Sequence, residues 1–422
     1  MSVAMPISTN SEGLGIASLA PLLAEVSKAF ERQLASDLPP VNTLCRHVER
    51  YRGKMLRPTM VFLCGQAFGN VGERHVIIAA TCEMIHMATL VHDDVLDEAE
   101  VRRKGSTVNH LRGNEVAVML GDYLISNAFH LCSRAGDPAL NLRLGEVTNT
   151  LCEGELVQLS HREDLSLDER TYFEIVRRKT AVLIGACCEL GARLSGAPED
   201  SVAALRRFGE GIGVAFQVQD DLLDLEGRED VVGKSLGRDL EKGKLTLPVI
   251  IHLARCAGTT RERTIAAIRA RDGVALMAEL TAGGALVDAR HRAEAMVATA
   301  RAELAKVPAG AARDALDAAA LARVAGRPPA QSAAPARGRL GQRRNAHRAR
   351  AQFALRSRAR RGTRRATPSA RAHARALARR RPAGRARTRS LPSGRHWLPL
   401  RRTRSDLPAG PRKRRLAQRL PL

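Results

Sequence analysis

HMATLVHDDVLD, residues 86–97, ends an apolar run on an acidic pentad. The chain repeats the device in VAFQVQDDLLD, residues 214–224. Residues i and i+4 of an α-helix share a face, so Asp93 stacks with Asp97 and Asp220 with Asp224. Like charges placed this way repel, and burying them unpaired costs on the order of several kcal/mol. A hard divalent cation removes both penalties, because Mg²⁺ takes oxygen ligands from one or two carboxylates together with substrate phosphates. One isolated DDxxD reads as a solvated helix face. Two near-identical copies in apolar settings, with basic motifs between and around them, read as a metal–diphosphate site.

Outward from the pentads the text is helical almost throughout, from about residue 16 to residue 301. Apolar residues recur at spacings of three and four, as in Leu22, Val26, Phe30 and Leu34, or Tyr172, Ile175 and Val176. Gly and Pro punctuate the segments at 37–40, 69–72, 136–138 and 196–198. Alternating strand patterns with hairpin signals are missing. The expected fold is all-α, a bundle of roughly ten or more helices around a central cavity. With one Trp, three Tyr and eight Phe in 422 residues, Leu, Ala, Val and Ile must fill its core.

Composition divides the chain. Its net charge is +24, yet residues 328–422 alone hold 28 Arg and one Lys against a single acid, Asp406. Residues 1–327 therefore form a mildly acidic body, large enough to bury one substantial core. The expected organisation is a disordered N-terminus at 1–15, a catalytic domain at 16–327 and an Arg/Ala/Pro-rich tail at 328–422. The tail cannot bury enough apolar area to offset its ordering entropy. Its Arg-over-Lys excess is what GC-rich DNA yields when read out of frame; a basic arm for nucleic acid or anionic lipid is the other reading. Eight cysteines without a CxxC indicate reduced thiols in a cytoplasmic protein. No uninterrupted run of 18 apolar residues signals a membrane span, and residues 14–24 lack the basic flank of a signal peptide.

Basic stretches surround the pentads: RGKMLRP at 52–58, His86 one turn ahead of the first pentad, RRKGST at 102–107, RRKTA at 177–181, and GKSLGRDLEKGKLTLP at 233–248. With GDYL at 121–124 and EGELVQL at 153–159, this order of motifs resembles the trans-isoprenyl (polyprenyl) diphosphate synthases of long-chain type, over roughly residues 18–327. The resemblance implies an isoprenoid-synthase-type helical bundle, usually a homodimer, with the aspartate motifs facing each other across a deep cavity. It implies that Asp93, Asp97 and Asp220 ligate a Mg²⁺ cluster on an allylic diphosphate, with Asp94, Asp221 and Asp224 acting through water or as orienting groups. Arg102, Lys179, Lys234 and Lys244 match positions that hold that diphosphate. Lys54, Arg57, His86 and Arg103 match those that hold isopentenyl diphosphate. Thr180 and Gln217 match groups that stabilise the allylic cation. Glu153, Glu155 and Gln158 are assigned to packing or support. Two departures stand out: Arg52 where relatives usually have a second Gly, and RRKG in place of RRG.

In this family the residues one turn before the first aspartate motif line the pocket into which the product grows. Ala88 and Thr89 are small, so an open pocket and a long product, a quinone side-chain precursor, are expected. Met84, Ile85 or Phe129 could instead close the pocket lower down and stop growth near geranylgeranyl diphosphate. A terpene cyclase is disfavoured by the DDLLD motif and the scarcity of aromatics. A non-catalytic subunit of a heteromeric synthase is disfavoured by the retained aspartates and lysines. The expected primer is farnesyl or geranylgeranyl diphosphate. Peripheral membrane contact is expected only as product leaves, and nucleic acid is not an expected partner.

Overall fold

The long helices begin where the punctuation places them. α1 (Ala20–Leu34) is followed by α2 (Pro39–Glu49), α3 (Leu56–Gln66) and α4 (Glu73–Leu96). α5 (Val108–Arg112), α6 (Asn114–Ser133) and α7 (Pro138–Ser160) come next. α8 (Glu169–Val176), α9 (Val182–Leu194) and α10 (Glu199–Glu226) complete the half of the fold that carries the pentads. Further helices lie at Arg238–Glu241, Leu247–Arg255, Gly258–Ala270, Gly273–Ala282, Ala285–Glu303 and Ala311–Leu321. This computed structural model describes residues 17–102, 105–226 and 237–322. The segments 1–15 and 328–422, on which sequence expectations rest, lie outside the described residues.

Among the described residues the only strands are β1 (Val101–Arg102) and β2 (Gly105–Ser106), paired antiparallel with Arg102 opposite Gly105. The all-α expectation holds, and the short ladder falls at the stretch where RRKG stands in place of RRG.

Two long helices organise the bundle. α4 has 24 residues and α10 has 28, so they run roughly 36 and 42 Å. α4 packs on α1, α3, α6 and α9, while α10 packs on α9 and on Ala285–Glu303. One apolar cluster joins α1–α4, α6, α7 and α9 to the first half of α10. A second gathers the end of α10 with Tyr172, Leu247, Ile250 and Leu286. By length and composition α4 and α6 could cross a membrane, with mean hydropathy of 1.3 and 1.2 over their most apolar windows. The α4 window is 72% buried inside the bundle, which marks it as a core helix.

The first pentad closes α4, with Asp97 as its C-cap, and the second lies in the last two turns of α10 as described. The C-terminal end of a helix is the negative end of its dipole, so it disfavours carboxylates. α4 thus delivers Asp93, Asp94 and Asp97 to a place where the backbone opposes their charge. Cations from elsewhere must compensate.

Candidate active site

At the first pentad the compensation comes from the far side of the chain. Lys244 donates to both carboxylate oxygens of Asp97, at 2.9 and 3.2 Å. Lys242 Nζ lies 3.5 Å from Asp97 Oδ2 and donates to its carbonyl at 2.5 Å. Arg162 approaches the same carboxylate at 3.9 Å. Burial alone would raise Asp97, but Lys244, Lys242 and Lys179 together hold it below the usual carboxylate range. Lys179 ion-pairs with Glu155 and stands 3.8 Å from Asp93. Burial works against its charge, and Asp93 and Glu155 overcome that and push its pKa up. Lys179 is charged at any ordinary pH.

Asp94 plays a different part. It is buried, and Arg102 grips its Oδ1 through both Nε and Nη2 at 2.8 Å. Its carbonyl accepts from Asn109 at 3.1 Å. Burial raises the Asp94 pKa, with Arg102 opposing. Asp94 therefore fixes the segment after α4. Arg102, matched to a diphosphate position, spends two of its three nitrogens on Asp94.

The second pentad shows the same division of labour. Asp220 and Asp224 are half-buried, while Asp221 is sealed. Asp221 accepts from the Tyr172 hydroxyl at 2.6 Å and from Gln217 Nε2 at 2.9 Å. Gln217 in turn accepts from Thr180 Oγ1 at 3.2 Å. A continuous chain Thr180–Gln217–Asp221–Tyr172 results. Burial, reinforced by nearby Asp239, pushes Asp221 up to about 8. Asp224 Oδ2 accepts from the Asp239 amide at 3.2 Å, which ties the end of α10 to the GRDLEKGK stretch.

Lys179 and Thr180 reach these partners from a π-helical turn, Arg177–Ala181, between α8 and α9. The wider i→i+5 turn is rare and is found frequently at functional sites. Two glycines press on it. A Cβ on Gly154 of α7 would stand 2.6 Å from the Lys179 amide, and one on Gly213 of α10 would stand 2.6 Å from the Ala181 Cα. Any side chain at either position would drive the turn out of place. Glu153, next to Gly154, pairs with Arg178. Glu155 is more than a support residue, since it holds Lys179 directly. Gln158 Nε2 is buried without a hydrogen-bond partner among the described residues.

Arg52, the departure from the resembling family, has a clear occupation. Its guanidinium lies 4.0 Å over the Phe30 ring and 3.6 Å from Glu31, so it staples the RGKMLRP stretch to α1. Met55 in that stretch holds a left-handed backbone, φ 52°, immediately before α3. A non-Gly residue there carries strain, and such strain clusters at ligand sites. Lys54 is exposed, and His86 and Arg57 are half-buried. Burial presses the Arg57 pKa down, and its Nε is buried without a hydrogen-bond partner among the described residues. Arg103 and Lys234 lie outside the described residues.

An open cleft of about 660 Å³ adjoins the first pentad, lined in part by Asp97, Arg162, Arg238, Lys242 and Arg271. Sequence reasoning passed over Arg162, Lys242 and Asp239, and it read Tyr172 as an apolar core residue. The last three sit inside or one turn before quoted motifs, which was the available signal. Arg162 had none.

Ala88 and Thr89 separate. At about 100° per residue, position −4 from Asp93 lies about 40° away around the helix, whereas −5 lies about 140° away. Thr89 is half-buried with its hydroxyl on the His86 carbonyl at 2.8 Å. Ala88 is 0% exposed and sits in the sealed core with Met84 and Ile85. Of the two residues expected to line the product pocket, only Thr89 shares the Asp93 face.

The sequence profile described as polyprenyl synthetase matches residues 39–281. Heptaprenyl diphosphate synthase component 2 of Geobacillus stearothermophilus is 37% identical over 275 residues, 65% of this chain and 85% of that protein. The crystal structure of a decaprenyl diphosphate synthase from Rhodobacter capsulatus superposes with a TM-score of 0.70 at 36% identity, covering 73% of this chain and 97% of that one. A polyprenyl synthase from Caulobacter crescentus CB15, complexed with calcium and isoprenyl diphosphate, gives 0.69 at 32% identity, covering 74% and 97%.

Proposed function

The chain belongs to the polyprenyl synthetase family, and we propose that its two pentads and the cations gathered at Asp97 bind and ionise an allylic diphosphate. It is a prenyltransferase that condenses isopentenyl diphosphate with an allylic diphosphate to make a long-chain all-trans polyprenyl diphosphate. The observation that carries the site assignment is the convergence of Lys244, Lys242, Arg162 and Lys179 around the two carboxylates at the end of α4.

The donor set suits a divalent, oxygen-seeking cation such as Mg²⁺. Among the described residues no group of three acids, imidazoles or thiols could hold an ion unaided. Asp93 and Asp97 on one side, and Asp220 and Asp224 on the other, would each contribute one or two oxygens and leave the remainder to the diphosphate, which is how Mg²⁺ is usually held. Bound there, the metal supplies Lewis acidity toward the leaving group.

The residues do the rest. Lys179 and Lys244 place fixed positive charge where the leaving diphosphate gathers negative charge. The C1–O bond breaks, and its electron pair leaves with the diphosphate. The isopentenyl double bond then supplies the pair for the new carbon–carbon bond, and the departed diphosphate takes the proton that is lost. Thr180 and Gln217, fixed by Asp221 and Tyr172, offer oxygens to the transient cation. Lys54, Arg57, His86 and Arg103 are assigned to isopentenyl diphosphate, and Lys234 joins the allylic set. Thr89 lines the growing product's path.

A homodimer is proposed on the face of α6 and α7, where Met119, Leu142 and Leu156 each leave about two-thirds of their surface exposed. Residues 16–327 are proposed as the catalytic domain of a cytoplasmic enzyme that meets lipid as its product departs. A second reading, dependence on a partner subunit, draws support from the Geobacillus relative, which is named as one component of a synthase.

The test is to incubate the full chain with farnesyl diphosphate, isopentenyl diphosphate and Mg²⁺, remove the phosphates and read product length by mass. A long polyprenol is expected. A C20 product would overturn the long-chain reading while keeping the reaction. No product with competent substrates would favour the partner-dependent reading.

A further inference from the structure

Away from the pentads, α2 and α5 flank a second, partly open hollow of about 250 Å³. Arg46 of α2, Arg50 just past its end and Arg112 of α5 line it with exposed side chains, while Leu44, Val108 and Leu111 provide apolar wall. No acid lines it, and among the described residues no carboxylate pairs with any of the three arginines. Among the described residues their one side-chain hydrogen bond is from Arg46 to the Thr43 hydroxyl at 3.4 Å. Elsewhere the body's arginines are heavily paired, as in Arg143 with Glu189, Arg207 with Glu303 and Arg301 with Asp317. Three exposed guanidinium groups around one small hollow, with no carboxylate partner among the described residues, leave a local positive charge that an anion can answer.

We propose that this pocket binds a diphosphate group at a site separate from the aspartate-lined one. Planar guanidinium forks match phosphate oxygens in pairs, and three of them balance the charge of one diphosphate. The volume lies below the range usual for drug-sized ligands, which favours a compact anion. Each condensation releases inorganic diphosphate, so such a ligand is always present at work. The pocket wall is tied to the active-site segment: His47, which also lines it, donates to the Ser106 carbonyl at 2.8 Å, and the Val108 amide donates to the Tyr51 hydroxyl at 3.0 Å. Ser106 follows Arg102 by four residues, so an occupant is linked to the segment that Arg102 anchors.

The experiment titrates inorganic diphosphate into the full chain by calorimetry in EDTA, for the wild type and for Arg46→Gln/Arg112→Gln. Hydrogen exchange is followed on peptides covering 39–50 and 108–112. Loss of two charge-assisted contacts should weaken binding at least about ten-fold. Basal turnover and melting temperature should be unchanged, and diphosphate should protect both peptides in the wild type alone. Equal affinity in the two proteins, or protection confined to the ends of α4 and α10, would overturn the proposal. Geranyl diphosphate as a second ligand separates the sources. An arginine-dependent gain over inorganic diphosphate identifies a prenylated headgroup as the occupant, and no gain identifies the released anion.

Discussion

Replacing Arg102 with methionine should leave a buried carboxylate without its cation, at a cost set by pH. The Asp94 side chain is 2% exposed and that of Arg102 11%, so solvent screens the pair little. Among the described residues Asp94 Oδ2 has no hydrogen-bond partner, and Arg102 is the main compensation there for the charge. Breaking such a pair typically costs about 3–5 kcal/mol. Protonation of Asp94 sets a ceiling. Neutralising a carboxyl of ordinary pKa costs about 1.36 kcal/mol per pH unit above about 3.9, hence about 4 kcal/mol at pH 7 and about 1.5 at pH 5. Burial already raises Asp94, and loss of Arg102 raises it further. A carboxyl whose folded pKa is raised contributes stability that is complete below its unfolded value and lost as pH rises through the folded one. The variant should therefore lose about 3–4 kcal/mol at pH 7 but no more than about 1.5 at pH 5. Urea unfolding of the metal-free protein, followed by circular dichroism, measures both. Asp94→Asn/Arg102→Met should recover most of the loss at pH 7. A loss under 1 kcal/mol, or one that ignores pH, would refute the reasoning. An unaltered KM for the allylic substrate in the refolded double variant would further show that Arg102 acts through Asp94 and not on the diphosphate.

Three further outcomes are expected. Tyr172→Phe removes a donor that lowers the Asp221 pKa, so Asp221 should move above about 8; in metal-free wild type its contribution to stability should fade as pH rises through about 8, and in the variant the fade should shift upward. A pH series of melting temperatures checks this, and coincident profiles would refute it. Lys244→Ala removes the cation nearest the Asp97 carboxylate and should lower kcat/KM for the allylic substrate by about 10²-fold, measured in steady state at saturating Mg²⁺. Thr89→Phe should shorten the product read by mass; Ala88→Phe, overpacking a sealed site, should cost stability of about 1–3 kcal/mol instead.

What the sequence by itself determined is local. The three- and four-residue spacing, the Gly and Pro punctuation, and the starts at Pro39, Glu73, Pro138 and Glu199 were legible because helix formation depends on near neighbours. So was the pairing of Asp93 with Asp97, which follows from helical pitch alone. Which charge answers which acid was not legible. Lys242 and Lys244 meet Asp97 across 145 and 147 residues, and Tyr172 meets Asp221 across 49. The π-turn at Arg177–Ala181 needs Gly154 and Gly213 from two other helices to hold it, and Arg52 finds Phe30 only because α1 lies alongside. Even Ala88 and Thr89, adjacent in sequence, part company on rotation about one axis. Spacing encodes which face a residue occupies, while tertiary packing decides what that face meets and therefore which carboxylates are sealed and which remain to bind.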